Sequence, residues 1–293
     1  SVPAIYERLF KIIKKHLEKQ GKVEQILKDE EKYKDSSMEK KKEVFKEIHD
    51  LLGGNIKLFI SGAASLDPSI EEKFRRLGFN MVQGYGLTET SPVVAIGNKK
   101  YHKTGSIGKC VPSDEVKLLD VNKDGIGELA VKGPNVMLEY YENKEATEKV
   151  LKNGWFQTGD LARIDEEGYI FICGRKKSVI VLKNGKNIFP EEMETLINKE
   201  DGVEESFIFG KPISKDPNDI KIFVKIVYNK ESFEGKTETE IKEYFNEKIK
   251  SINKTMPHYK AIRGIIISDK PLIKTTTNKI KREKNLEQII KEL

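Results

Sequence analysis

Cysteine is scarce. Cys110 and Cys173 are the only two in 293 residues, too few and too far apart for a metal cluster, and neither sits in surroundings that would activate a nucleophile. Both are expected as small core residues. Long apolar runs are missing too: no stretch approaches the roughly 18–20 residues that a membrane-spanning helix requires, and residues 1–6 lack the basic region and apolar stretch of a secretory signal. The expected location is the cytoplasm. Nor is there a field of one sign, because 53 basic residues are interleaved with 47 acidic ones and the net charge is +6, so nucleic acid is not an expected partner. Several familiar catalytic signatures are absent: G-x-x-x-x-G-K-[ST], H-E-x-x-H, paired C-x-x-C and G-x-S-x-G. Gly125, Gly127 and Ala130 match G-x-G-x-x-A, yet they precede an apparent strand instead of joining a strand to a helix, so they read as a turn.

What is present suffices for a sizeable core. A hydrophobic content of 37% over this length suggests two domains or one large one. Apolar residues at Ile5, Leu9, Ile12, Ile13 and Leu17 have helical spacing, with lysines on the other face. Such a helix packs on a core or lies on a membrane surface, so peripheral membrane association is the alternative to a purely cytoplasmic location. Residues 18–50 continue polar and helical, and 56–61 form a short apolar strand. Short strands follow at 80–82, 115–119, 128–132 and 169–173, separated by glycine turns. Beyond Arg175 the order is strand, helix, strand, strand, helix, strand, with helices at 191–198 and 239–252 and strands near Phe207, Phe223 and Ile266, a separate α/β domain.

Three clusters carry chemistry. GYGLTETS, residues 84–91, directly follows an apolar strand ending at Gln83. Gly84 and Gly86 let backbone approach a ligand, Tyr85 offers an aromatic face to a purine, Thr88 a hydroxyl and Glu89 hard oxygens for magnesium. Alone, such a stretch is equally a loop. GWFQTGD, residues 154–160, holds Asp160, able to accept two hydrogen bonds from the vicinal diol of a ribose, and GRKK, residues 174–177, holds Arg175, which could reach the same sugar. The competing readings are a turn or cap for Asp160 and a surface cation for Arg175.

Together these stretches resemble the adenylate-forming superfamily of acyl-CoA synthetases, peptide-synthetase adenylation domains and luciferases. GYGLTETS is similar to its adenine and magnesium motif. GWFQTGDLARIDEEGYIFICGRKK followed by SVIVLKNGKNIFPEEME resembles the ribose motif running into the interdomain hinge and thiol-binding loop, and TTTNKIKRE, residues 275–283, the segment that supplies a catalytic lysine. Order and spacing fit from about Val2 onward. SGAASLDPSI and PNVMLEYYENKEAT are most similar to long-chain fatty-acid CoA ligases of bacteria. The chain departs from the pattern at Glu139 and Asn278, where relatives usually carry glycine; asparagine tolerates the left-handed backbone that glycine serves.

The resemblance implies an α/β and α+β architecture: residues 1–176 as the carboxy-terminal part of the large adenylate-binding domain (an α/β portion to about 95, then a small distorted β-barrel subdomain over 96–176), and 177–293 as a mobile C-terminal domain. It implies Lys279, Glu89 and Thr88 as catalytic residues, with Glu89 holding Mg2+. Ala63, Ala64, Gly84, Tyr85, Gly86, Asp160, Arg175, Lys177 and Gly185 are implied to bind ATP or coenzyme A, Lys177 being the hinge and Gly185 part of the thiol loop. Gly108 marks close packing beside the nucleotide, and Glu128 and Trp155 are supports, Trp155 reading best as a core aromatic. The implied substrates are a fatty acid, ATP and coenzyme A. The Ser/Thr/Gly-rich loop that cradles pyrophosphate in such enzymes is missing from the sequence, so the chain is expected to be a fragment that needs the N-terminal half of the same enzyme. Other adenylate-forming chemistry, on aryl or amino acids, and a noncatalytic nucleotide- or CoA-binding module are the alternatives.

Overall fold

The computed structural model describes residues 1–276 and 279–292 and divides into two compact units, residues 1–172 and 173–293. The first opens with helices α1 (Pro3–Lys19), α2 (Val23–Lys32), α3 (Met38–Val44) and α4 (Lys46–Leu51), then strand β1 (Phe59–Ser61), helix α5 (Pro68–Arg76) and strands β2 (Met81–Gly86), β3 (Val93–Ile96) and β4 (Lys109–Cys110). Pro3 and Pro68 start α1 and α5, where their missing N–H costs nothing, and the Asp67 carboxylate accepts the Ser69 amide at 2.9 Å as a cap. Tyr6, Ile13 and Leu17 of α1 are buried against Phe59, Phe74 and Phe79, with rings in edge-to-face contact. Ile5 and Ile12, expected in the same stripe, are 45% and 47% exposed, because the core face is centred on Tyr6 and Ile13. Strands β1 and β2 are parallel, and β3 and β4 extend that sheet antiparallel.

A second sheet follows, in the order β5 (Glu115–Leu119), β6 (Gly127–Lys132), β8 (Trp155–Ile164), β7 (Leu151–Lys152), all antiparallel, with β9 (Ile170–Arg175) also on β8; helix α6 (Lys144–Val150) precedes β7. Three expectations are corrected in this unit. The strand expected to end at Gln83 runs on through Gly86, because Gly84, Tyr85 and Gly86 pair with Ile96, Ala95 and Val93. The GWFQTGD stretch, where a turn or cap is the competing reading for Asp160, lies from Trp155 onward in the ten-residue strand β8. Trp155 is half-buried on that sheet with Lys117 Nζ 3.9 Å from its ring centroid, a cation–π contact, and is no core residue. The cysteines are half-buried also; Cys110 donates to the Asp114 carbonyl at 3.3 Å, and burial pushes its thiol up to about 11.

The second unit contains the hairpin β10 (Ile180–Val181) and β11 (Asn187–Ile188), helix α7 (Pro190–Ile197), the sheet β12 (Val203–Pro212), β13 (Ile220–Tyr228), β14 (Ile262–Ser268), and helices α8 (Glu238–Thr255) and α9 (Arg282–Glu292). Strand alternation sorts the side chains of β12: Ile208 packs with the Met193, Phe245 and Ile249 of α7 and α8, while Phe207 and Phe209 pack with Ile289 of α9. Thr237 and Glu240 cap α8 reciprocally, two backbone donors being satisfied by two side chains.

Candidate functional site

Because β1 and β2 are parallel with Ser61 opposite Gln83, the turn after β1 starts beside Gly84, where β2 continues on β3. Open α/β sheets bind ligands at the carboxyl ends of parallel strands. A Cβ on Gly62 would lie 3.4 Å from the Gly84 carbonyl oxygen, so the two segments touch. Ala63 is exposed and held at φ +71°, a left-handed conformation that costs alanine free energy and that the fold nevertheless imposes; Ala64 is exposed beside it.

The two motif glycines differ in kind. A Cβ on Gly86 would sit 1.5 Å from the Pro92 carbonyl oxygen, because the β2–β3 register shifts between Tyr85 and Gly86; the residue is glycine for packing. A Cβ on Gly84 would lie 3.8–3.9 Å from Ile96, Ala95 and Ile60, ordinary contact, so packing within the chain does not require glycine there. Between them, Tyr85 donates its hydroxyl hydrogen bond to Asp160 Oδ2 at 2.5 Å, across 75 residues of sequence. Asp160 is 5% exposed. It is aimed there by a bulge in β8: Ala130 pairs with Gln157 while Glu128 pairs with Leu161, and Gly159 takes φ +71°. The Gly159 amide donates to Glu128 Oε1 at 3.1 Å, Thr158 Oγ1 donates to the Leu129 carbonyl at 2.8 Å and accepts the Asp160 amide at 3.1 Å.

Thr88 and Glu89 lie in a 3₁₀ turn, Thr88–Thr90, pinned by Thr90, whose Oγ1 accepts the Leu87 amide at 2.9 Å. Thr88 is exposed and Glu89 half-buried. Tyr140 donates to Glu89 Oε1 at 2.9 Å, and burial together with that carboxylate raises the phenol above its usual range. The Met137 amide donates to the Glu89 carbonyl at 2.8 Å, tying this turn to residues 137–140. Among the described residues no group of three or more His, Cys, Asp and Glu side chains could hold a metal. A lone carboxylate suits Mg2+, which keeps most of its waters and binds through one or two carboxylates plus substrate phosphates.

In the second unit Arg175 and Lys177 are exposed, Lys177 within the 3₁₀ turn Lys176–Ser178. Gly185, at φ +76° with open space about it, turns the chain between β10 and β11, its amide donating to the Leu182 carbonyl at 2.8 Å. Leu182, Lys183, Lys221, His258, Tyr259 and Arg263 line a cleft of about 700 Å³ beside this turn, and Lys186 Nζ lies 4.0 Å from the Tyr259 ring centroid. No sequence motif marks the cleft, because its walls come from separate segments. Lys279 is exposed; the Thr275 amide donates to its carbonyl at 2.8 Å and its own amide to Thr275 Oγ1 at 3.1 Å. Asn278 lies outside the described residues. The flanking residues are tied down: Lys274 pairs with Glu205, Arg282 with Glu194 at 2.5 Å, and Asn285 donates to the Ile273 and Lys281 carbonyls at 2.9 Å.

The first unit thus carries a buried carboxylate beside the ends of two parallel strands, and the second an exposed lysine beside paired cations. Residues 1–141 match the family described as AMP-binding enzyme, and residues 177–293 the AMP-binding enzyme C-terminal domain; the chain belongs to the AMP-binding enzyme family. It is 39% identical over 187 residues to a long-chain-fatty-acid–CoA ligase of Escherichia coli O6:H1, covering 61% of this chain and 33% of that protein. It is 36% identical over 194 residues to the long-chain-fatty-acid–CoA ligase FadD15 of Mycobacterium bovis, covering 66% and 30%. The chain thus spans about a third of the length of the curated relatives it matches. Among solved structures it is similar to o-succinylbenzoate coenzyme A synthetase from Bacillus subtilis in complex with ATP and magnesium ion, with a TM-score of 0.65, 26% identity, and coverage of 81% of this chain and 49% of that one. The fold class expected from the motifs is the one found, and no helix among the described residues is long and apolar enough to cross a membrane.

Proposed function

We propose that this chain is the carboxy-terminal part of a long-chain fatty-acid CoA ligase, in which a fatty carboxylate attacks the α-phosphorus of ATP, releasing pyrophosphate, and the thiol of coenzyme A then attacks the acyl carbonyl, releasing AMP. The observation that supports this reading most is the buried Asp160, hydrogen-bonded to Tyr85, which follows Gly84 where that strand touches the segment leading into the exposed Ala63–Ala64 turn. Asp160 accepts the ribose hydroxyls, Tyr85 and the Ala63–Ala64 turn flank the adenine, and Gly84 lets backbone lie beside it, while Gly86, expected to do the same, is taken up by packing against Pro92. Arg175 reaches the same sugar. Glu89 holds Mg2+, which when bound would offset the charge of the triphosphate, and Thr88 hydrogen-bonds a phosphate oxygen. Lys279 neutralises charge gathering between carboxylate and α-phosphate in the first step, a task suited to a compact ammonium.

For the second step, Lys177 is the pivot about which the second unit moves, bringing in the Gly185 turn in place of Lys279. The basic and aromatic cleft beside that turn suits the phosphates and base of coenzyme A, with the thiol arm following the turn. Fatty-acid preference is supported by the names of the curated relatives. Residues 1–293 alone are inactive in adenylation, since the backbone amides that cradle a triphosphate bear much of the charge in this chemistry and belong to the preceding half.

The test is ATP–pyrophosphate exchange with short, medium and long fatty acids, an aryl acid and amino acids, on the full-length enzyme and on residues 1–293 separately. Exchange driven by long fatty acids in the full-length enzyme alone is expected. Exchange driven only by aryl or amino acids would overturn the substrate class, and exchange by the isolated 293 residues would overturn the dependence on the other half.

A further inference from the structure

A buried polar network lies beneath the candidate nucleotide site and belongs to none of its motifs. Gln83, 5% exposed, directly precedes Gly84 and uses both ends of its side-chain amide. Its Oε1 accepts the Leu66 amide at 3.3 Å, where the turn bearing Ala63 and Ala64 closes, and its Nε2 donates to Glu71 Oε2 at 3.1 Å. Glu71, on α5 and wholly buried, accepts the Gly105 amide on the same oxygen at 2.9 Å. Its other oxygen has no hydrogen bond and lies 3.4 Å from His102 Nε2. Burial raises the Glu71 carboxyl, and burial with the neighbouring Arg75 charge holds His102 down at about 4.

A buried carboxylate is a costly way to fill space, since apolar side chains of equal volume would pack with no desolvation penalty. What it gives in return is direction. The Leu66 donor fixes the amide orientation of Gln83, the carboxylate accepts from the other end, and three segments are held to one another at hydrogen-bond tolerance: the turn after β1, the end of β2 and the loop at Gly105.

We propose that Gln83 and Glu71 are positioning residues for the nucleotide, setting the separation between the Ala63–Ala64 turn and Tyr85. This rests on the reading that those two elements flank the adenine. Neither residue touches substrate; they act through the backbone they hold, so their loss opens the adenine slot and leaves thiol binding alone.

The test is steady-state kinetics on the full-length enzyme carrying Gln83→Leu, Glu71→Met or Glu71→Gln, with melting temperatures alongside. Gln83→Leu and Glu71→Met each leave buried donors without acceptors and are expected to raise the KM for ATP roughly tenfold or more, with the KM for coenzyme A moving less than about twofold. Glu71→Gln keeps an oxygen for Gly105 and Gln83 and should restore the KM for ATP to within about threefold of wild type. Should Gln83→Leu fail to fold, Gln83→Asn, polar but one methylene short, carries the same comparison. An unchanged KM for ATP in a folded variant, or equal loss toward ATP and coenzyme A in proportion to melting temperature, overturns the inference. A wild-type enzyme without ATP-dependent turnover would instead overturn the proposed function, and this inference with it.

Discussion

Lys279→Ala in the full-length enzyme is expected to slow acyl-adenylate formation by roughly 10²–10³-fold, the usual effect of removing one preorganised group that stabilises transition-state charge, while thioester formation from supplied acyl adenylate stays within about threefold of wild type. The asymmetry follows from how the flanks are built. Lys274 and Arg282, on either side, are committed to Glu205 and Glu194, and Asn285 fastens the Ile273 and Lys281 carbonyls. Lys279 alone of these three cations is exposed with no ion pair among the described residues. The folding energy of the flanks does not draw on its ammonium, so removing it should leave the melting temperature unchanged. Lys279→Arg should recover little, because a planar fork places its charge differently from an ammonium. Rapid-quench measurement of each half-reaction separates the outcomes; equal loss in both would refute the assignment.

The second large effect distinguishes Gly86 from Gly84, which the motif presents as equivalents. Gly86→Ala forces a methyl to 1.5 Å from the Pro92 carbonyl oxygen, an overpacking against backbone that cannot swing aside. A loss of about 3 kcal/mol or more is expected, lowering the melting temperature of the first unit by about 6–12 °C. Gly84→Ala adds a methyl whose nearest neighbour is 3.8 Å away. Its melting temperature should stay within about 2 °C of wild type, since ordinary van der Waals contact carries no penalty. If backbone at Gly84 lies against the nucleotide, the same methyl should weaken ATP binding roughly tenfold, of the order expected when a side chain intrudes on a close backbone approach. Calorimetric melting and the KM for ATP, measured on both variants, decide it. A Gly84→Ala enzyme with normal ATP affinity removes that residue from the site.

Much of this chain was legible before its coordinates, for reasons particular to certain residues. Helices α7 and α8 of the second domain carry clean periodicities, such as Ile241, Phe245, Ile249 and Ile252 on α8, all buried, and appear within a few residues of their expected bounds, whereas α9 was not expected. Strand β8 was invisible because its buried face is Phe156, Thr158, Asp160 and Ala162; two polar residues on the inward side and Gly159 in the bulge erase the hydrophobic alternation that marks a strand. The stripe on α1 holds at Leu9, Ile13 and Leu17 and fails at Ile5 and Ile12, since Ile12 and Ile13 are equally apolar and only packing selects Ile13, while Tyr6 carries no apolar signal of the same strength. Of the candidate site, the motifs named residues without joining them. The Tyr85–Asp160 hydrogen bond, the Tyr140–Glu89 contact and the Gln83–Glu71 network connect distant segments, and the cleft at Tyr259 has no local signature.

Recognition of a ribose by Asp160 is the claim on which the nucleotide site depends, and a double comparison of ligand and residue tests it most directly. Dissociation constants for AMP and for 2′,3′-dideoxy-AMP, measured by calorimetry on the full-length enzyme and its Asp160→Ala variant, should show wild type preferring AMP at least tenfold, the value of about 1.4 kcal/mol expected for hydrogen bonds to a charged group. That preference should vanish in the variant. A preference for AMP that survives the loss of Asp160 would mean the sugar is held elsewhere, and would contradict the site described above.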